Sequence, residues 1–312
     1  MKFYNENSLM LQEAKKARFQ PNAIIQILVF IVVFLAAEIA ASIIPGIAMF
    51  ANIFSKSLSG NIDVHDYTSN LSSTIMIISL FCTAIITFLT IIHCRFIEKR
   101  SLTSMGFIKK NAVKQYCLGY LIGIIIFSIA FFIAVITGAI EINGFNNNIV
   151  WLTFILFFFG FLIQGMSEEV LLRGYFMVSL SNRAPMIAAI LINSVVFAML
   201  HLANNGISIL AFINLILFGI FASLYVLKTG NLWGACAIHS AWNFFQGNIF
   251  GILVSGSDSS TSILSVTNNT SLNFINGGTF GMEGGIAVSI VLVIGIILLY
   301  FYKGKSTKKN MI

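Results

Sequence analysis

Three short motifs place reactive side chains at helical spacing inside apolar sequence. The stretch GMSEEVLLRGYF, Gly165 to Phe176, holds Glu168, Glu169 and Arg173; FAMLH ends on His201, four residues after Phe197; HSAWN holds His239 and Asn243, again four apart. At 3.6 residues per turn, residues four apart share a helix face, so Glu169 and Arg173 can pair with the acid on the N-terminal side, the favourable order. Glu168 is rotated by about 100° and is left without that partner. The pair is read as structural, and the lone carboxylate as free to act as a general base. A carboxylate with an imidazole can position and deprotonate a water molecule, while a second imidazole and a carboxamide can donate to an oxyanion. Peptide hydrolysis needs those parts.

The rest of the chain must position them. Of its 312 residues 58% are hydrophobic and 9% charged, which argues against a globule with an ordinary polar shell. Long apolar runs with 3 prolines and 30 phenylalanines predict helices, not the short alternating strands of a membrane barrel. The fold class expected is all-α: a polytopic integral membrane helix bundle. About eight transmembrane helices fit, at roughly 23–52, 73–93, 116–140, 149–180, 185–202, 207–227, 231–254 and 285–302. The first holds Glu38 and Pro45-Gly46, so a kink or an early end is expected there. The fourth is longer than a bilayer requires, which puts its charged second half against protein or water.

The net charge of +7 comes from basic clusters between apolar runs. That is the pattern of the positive-inside rule, and it argues against a nucleic-acid partner. With a cytoplasmic N-terminus, eight crossings put Lys15, Lys16, Arg18, Arg95, Lys99, Arg100, Lys109, Lys110, Lys114, Arg183 and Lys228 inside, together with Lys2 and the tail lysines Lys303, Lys305, Lys308 and Lys309, and leave Lys56 outside. The organisation expected is a cytoplasmic segment at 1–22, N-terminal transmembrane helices over 23–145 with a basic loop at 94–115, core helices over 146–254, a polar extracytoplasmic loop at 255–284, and a last helix with a basic tail over 285–312. The basic loop anchors the topology and can touch anionic lipid headgroups. Cys82, Cys94, Cys117 and Cys236 lack CxxC spacing and are expected as buried free thiols.

The motifs EExxxR, FxxxH and HxxxN, in this order and on successive helices, resemble the CPBP family, the CAAX protease and bacteriocin-processing (Abi) group of intramembrane endopeptidases. The resemblance covers about 150–250, and KRSLTSMGF from Lys99 and GGTFGMEGG from Gly277 are similar to flanking patterns of bacterial members. It implies a catalytic core at 146–254 in a bacterial plasma membrane protein; the lysine and arginine count places both termini in the cytoplasm. The resemblance also implies an endopeptidase in which Glu168 activates water, helped by His201, and His239 and Asn243 form the oxyanion site. Glu169 and Arg173 would hold the helix geometry, and Phe197 would wall the site beside His201. The partner implied is a membrane-associated peptide or protein, cut near the cytoplasmic leaflet; the oligomeric state stays open. Either no cofactor is required, or one divalent zinc is held by Glu168, His201 and His239, although the HExxH pairing of many zinc proteases is absent.

Plainer roles exist for each residue. A single histidine in a span is commonly an interhelical hydrogen-bonding group, so the weight rests on the joint pattern with Glu168. Glu38 is read as a structural acid, His93 as an interfacial residue, and Asn193 and Asn214 as interhelical contacts. Two other functions use the same residues. One is a proton-coupled transporter, with Glu168 and the histidines as a relay; the other is a non-catalytic bacteriocin-immunity or peptide-binding membrane protein.

Overall fold

The computed structural model describes residues 4, 6–58, 72–259 and 261–302. Lys2, Lys303, Lys305, Lys308 and Lys309, which enter the charge argument, lie outside the described residues, as does 59–71. The chain is an integral membrane helix bundle. After the short amphipathic α1 (Leu9–Ala14) come α2 (Ala23–Leu58), α3 (Ser72–Ile92), α4 (Ala112–Ile136), α5 (Trp151–Glu169), α6 (Met186–Met199), α7 (Ile209–Thr229), α8 (Trp233–Phe244) and α9 (Ile286–Phe301). Apolar sequence in lipid must satisfy its own backbone, and the helix does so within one segment.

Among the described residues five helices, against the eight expected, are long and apolar enough to cross a bilayer by length and composition: Ala23–Ser55, Ser73–Ile97, Ala112–Ile136, Trp151–Ser181 and Ile209–Thr229. Met186–Met199 and Ile286–Phe301 are shorter. α2 does not stop at Pro45 as anticipated; it continues through it to Leu58. α4 ends at Ile136, and the strand β1 (Ile140–Phe145) follows.

The stretch read as a polar outer loop is folded. Its strand β2 (Leu264–Asn268) pairs antiparallel with β1, Ile140 opposite Asn268. Short helical turns at Gly278–Phe280 and Met282–Gly284 then lead into α9. Asn276 fixes this segment to the end of α4 by donating to the Ala139 carbonyl at 2.8 Å. The segment is a cap over one end of the bundle.

Small residues set the closest helix crossings. On α4, Gly119 and Gly123 face α8, where a Cβ at Gly123 would come within 2.9 Å of the Ala241 Cβ, and one at Gly119 within 2.7 Å of the Gly234 Cα. Gly165 of α5 meets Ser240 of α8 in the same way, 2.6 Å from its backbone nitrogen. Close backbone approach of this kind is a regular device of membrane bundles. Here it brings the EE motif against the helix that carries His239.

At the other end, the basic loop is more than an anchor. Arg100 is buried and paired with buried Glu98, Nε to Oε2 at 2.6 Å, and its Nη2 reaches the Gly174 carbonyl at 3.4 Å. Glu98 also accepts from Ser179 Oγ at 2.8 Å and Gln26 Nε2 at 3.2 Å, tying α2 and the helical turn Val178–Ser181 to the loop. His93 stands half-buried with its ring 5.0 Å from that of Tyr175. Cys82, Cys94 and Cys236 are buried free thiols as expected, but Cys117 is exposed, because it lies on the outer side of α4.

Candidate active site

α5 carries the two acids into the bundle. Glu169 is its last regular residue; Val170–Met177 form wider π turns with all eight residues buried, and the helix resumes at Val178–Ser181. π turns are frequent at functional sites, and here they follow directly on the acids. Glu169 and Arg173 form the anticipated pair, 2.9 Å between Oε1 and Nη1 with both side chains 0% exposed. Glu168 keeps 25% of its side chain exposed, so the two neighbouring acids are separated into a buried one and an accessible one.

The pair does more than its spacing suggested. Glu169 Oε1 also lies 3.0 Å from His239 Nδ1. A carboxylate accepts, so Nδ1 carries the proton, and Nε2 is turned toward Glu168 Oε2 at 3.8 Å. That separation is too long for a direct hydrogen bond, yet both atoms can take the same water from the side. His201 is fixed likewise. Its Nδ1 donates to the Phe197 carbonyl at 2.9 Å, which leaves Nε2 of the neutral ring as the acceptor. Phe197 lies beside the His201 ring, 4.8 Å between centroids, and carries the Arg173 guanidinium on its face at 4.6 Å.

Two residues that the motifs did not single out complete the arrangement. Gln164 donates through Nε2 to Glu168 Oε1 and accepts from Asn243 Nδ2 at 2.8 Å, so it links the accessible acid to the carboxamide. It lies four residues before Glu168, a spacing that could have revealed it. Phe218 of α7 sets its ring against His239, centroids 4.9 Å apart, and no sequence pattern distinguishes it from other core phenylalanines.

Glu168, His201, His239 and Asn243 line one cavity of about 180 Å³, with room for several water molecules. Met76 and Leu80 early in α3, Asn214 and Phe218 early in α7, Asn243 late in α8 and Val288 early in α9 also line it. Each of these stretches lies toward the capped end of its helix. Phe161, Gln164 and Glu168, late in α5, reach the cavity from deeper in the bundle. Asn214 is a cavity residue as well as a helix contact, while Asn193 only bonds Ser223 Oγ at 3.2 Å.

Among the described residues no group of three His, Cys, Asp or Glu side chains is arranged to hold a metal ion. Glu168, His201 and His239 share the cavity without forming a ligand set, and the reaction below uses the chain's own acid and imidazoles.

The cap supplies one more titratable group. Glu283 reaches the cavity from the turn before α9. Burial raises its carboxyl above the usual range, against the Ser255 hydrogen bonds and the two imidazoles, which act the other way.

A family model described as type II CAAX prenyl endopeptidase Rce1-like matches residues 149–245. Over that stretch the chain is similar to the Rce1-like CAAX endopeptidases. The Rce1-like stretch runs from the start of α5 to the end of α8 and contains Gln164, Glu168, Glu169, Arg173, His201, His239 and Asn243. Glu283 and the cap lie outside it. No curated protein and no solved structure matches the chain.

Proposed function

We propose that the protein is an intramembrane endopeptidase of the glutamate type, acting on a membrane-associated peptide or protein. The observation that carries this reading is the accessible Glu168 in a cavity with two histidines of fixed tautomer. Glu168 takes a proton from a water held by His201 Nε2, and the hydroxide oxygen bonds to the peptide carbonyl carbon. His239, with Glu169 behind it to stabilise a second ring proton, and Asn243 face the oxyanion that forms. Collapse breaks the C–N bond, and the proton on Glu168 passes to the leaving nitrogen. Water, peptide and products balance without a further reactant.

The asymmetry of lysine and arginine supports a plasma-membrane orientation with both termini cytoplasmic. The test is cleavage of membrane-peptide substrates by the purified protein in detergent. Glu168→Gln is expected to abolish turnover with the fold retained; cleavage that survives it removes this residue from the mechanism. Vesicle flux following a proton gradient would favour a transporter, and protection of cells undiminished by Glu168→Gln would favour a non-catalytic immunity protein.

A further inference from the structure

Glu283 is the charged residue of the cavity that this hydrolytic scheme does not use. Its side chain is 8% exposed. Oε2 accepts from the Ser255 backbone N–H at 2.7 Å and from the Ser255 hydroxyl at 2.8 Å. Among the described residues Oε1 has no hydrogen bond, and no lysine, arginine or histidine nitrogen stands within ion-pair distance of the carboxylate. A buried carboxylate without a cation is costly.

The turn that carries Glu283 is fixed on several sides. Asn214 donates to the carbonyls of Glu283 and Gly285 at 2.8 and 2.9 Å, and accepts from Ser289 Oγ at 2.6 Å. Asn204, three residues after His201, donates to the Ser255 carbonyl at 3.0 Å. The acid is held rigidly where it lines the same space as His201 and His239. Tying down Ser255 needs an acceptor, which a glutamine would supply equally; the capacity to carry negative charge beside a bound cation is what that tie leaves unexplained.

The remaining lining points to what the charge meets. No lysine or arginine lines the cavity, and Arg173 stands behind its wall, bound to Glu169. About half of the lining residues are apolar, among them Met76, Leu80, Phe161, Phe218 and Trp242. A carboxyl in a low-dielectric wall is driven to ionise when a cation binds beside it, and so favours cationic ligands. A buried polar group built for a partner also discriminates against ligands that lack it.

We propose that Glu283 is a recognition site for a protonated amine or guanidinium of the bound peptide, next to the bond that is cut and flanked by apolar residues. The cation is either a lysine or arginine side chain or the peptide's own terminal amine. The proposal rests on the hydrolytic reading for its place in a reaction, but binding can be measured without turnover.

The experiment uses the purified full chain in detergent and a set of labelled apolar peptides that carry lysine, arginine or norleucine at each position in turn, with the N-terminus free or acetylated. The protein is expected to cleave a lysine or arginine peptide with kcat/KM about tenfold or more above its norleucine counterpart, mainly through KM, with Glu283→Gln bringing the ratio near one. If acetylation removes the preference and the side chain does not matter, the terminal amine is the cation. A wild-type protein with no preference for a cation, or a ratio that Glu283→Gln leaves unchanged, overturns the proposal. Fluorescence anisotropy of the same peptides on Glu168→Gln protein separates the two readings and needs no change at Glu283. A cation preference in binding with no cleavage by the wild type would remove the hydrolytic reading and keep this site; cleavage without any preference would do the reverse.

Discussion

His239 Nδ1 and Arg173 Nη1 meet at one atom, Glu169 Oε1, at 3.0 and 2.9 Å. The acid that spacing assigns to an intrahelical pair also orients an imidazole on another helix. Glu169→Gln is therefore expected to leave Arg173 as an uncompensated buried charge, at a cost of about 3–5 kcal/mol, and to loosen His239. In thermal unfolding, Glu169→Gln with Arg173→Met should recover part of the lost stability while turnover stays low. Activity restored along with stability would reduce Glu169 to a structural role.

Gln164 links Glu168 to Asn243. Gln164→Leu keeps the bulk and removes both hydrogen bonds. It is expected to lower kcat about 10²-fold, the scale of a displaced base, with little change in melting temperature. Unchanged kcat would show that Glu168 and Asn243 hold their places without it.

The α4–α8 crossing depends on Gly123, whose added Cβ would meet the Ile238 carbonyl at 2.5 Å. Gly123→Leu should push the helices apart and destabilise by about 1–3 kcal/mol or more. The cavity would lose its shape with it, so turnover and melting temperature should fall together. A stable variant would mean that the crossing tolerates separation.

The ion pair of Glu98 and Arg100 lies away from the cavity and holds the basic loop to α2 and to the turn Val178–Ser181. Glu98→Ala strands Arg100, and the expected loss is again about 3–5 kcal/mol. Below its melting temperature the variant should keep kcat close to that of the wild type. A large fall in kcat in a folded variant would connect this cluster to the reaction.

The glutamate mechanism predicts that chelators leave cleavage intact and that purified, active protein contains much less than one equivalent of zinc. Activity lost to a chelator and restored by zinc would make Glu168, His201 and His239 ligands.

Sequence alone determined the helix bundle and which polar residues share a helix face. Long uncharged apolar runs have one way to satisfy their backbone in lipid, so helices follow from composition, and four-residue spacing places Glu169 with Arg173 on one face whatever surrounds them. Tertiary structure decided which acid is open to the cavity, and that the closed one turns to His239, because both depend on how α5 packs against α8 at Gly165 and Ser240. Arg100 and Arg95 look alike in a basic loop, yet only contact with Glu98 and Gly174 makes Arg100 a buried partner. The place of Glu283 at the cavity was out of reach for the same reason: its GGTFGMEGG stretch lies more than a hundred residues after Glu168, and only the folding of that stretch over the bundle end, through Asn214 and Ser255, brings its carboxyl into the space shared with the histidines.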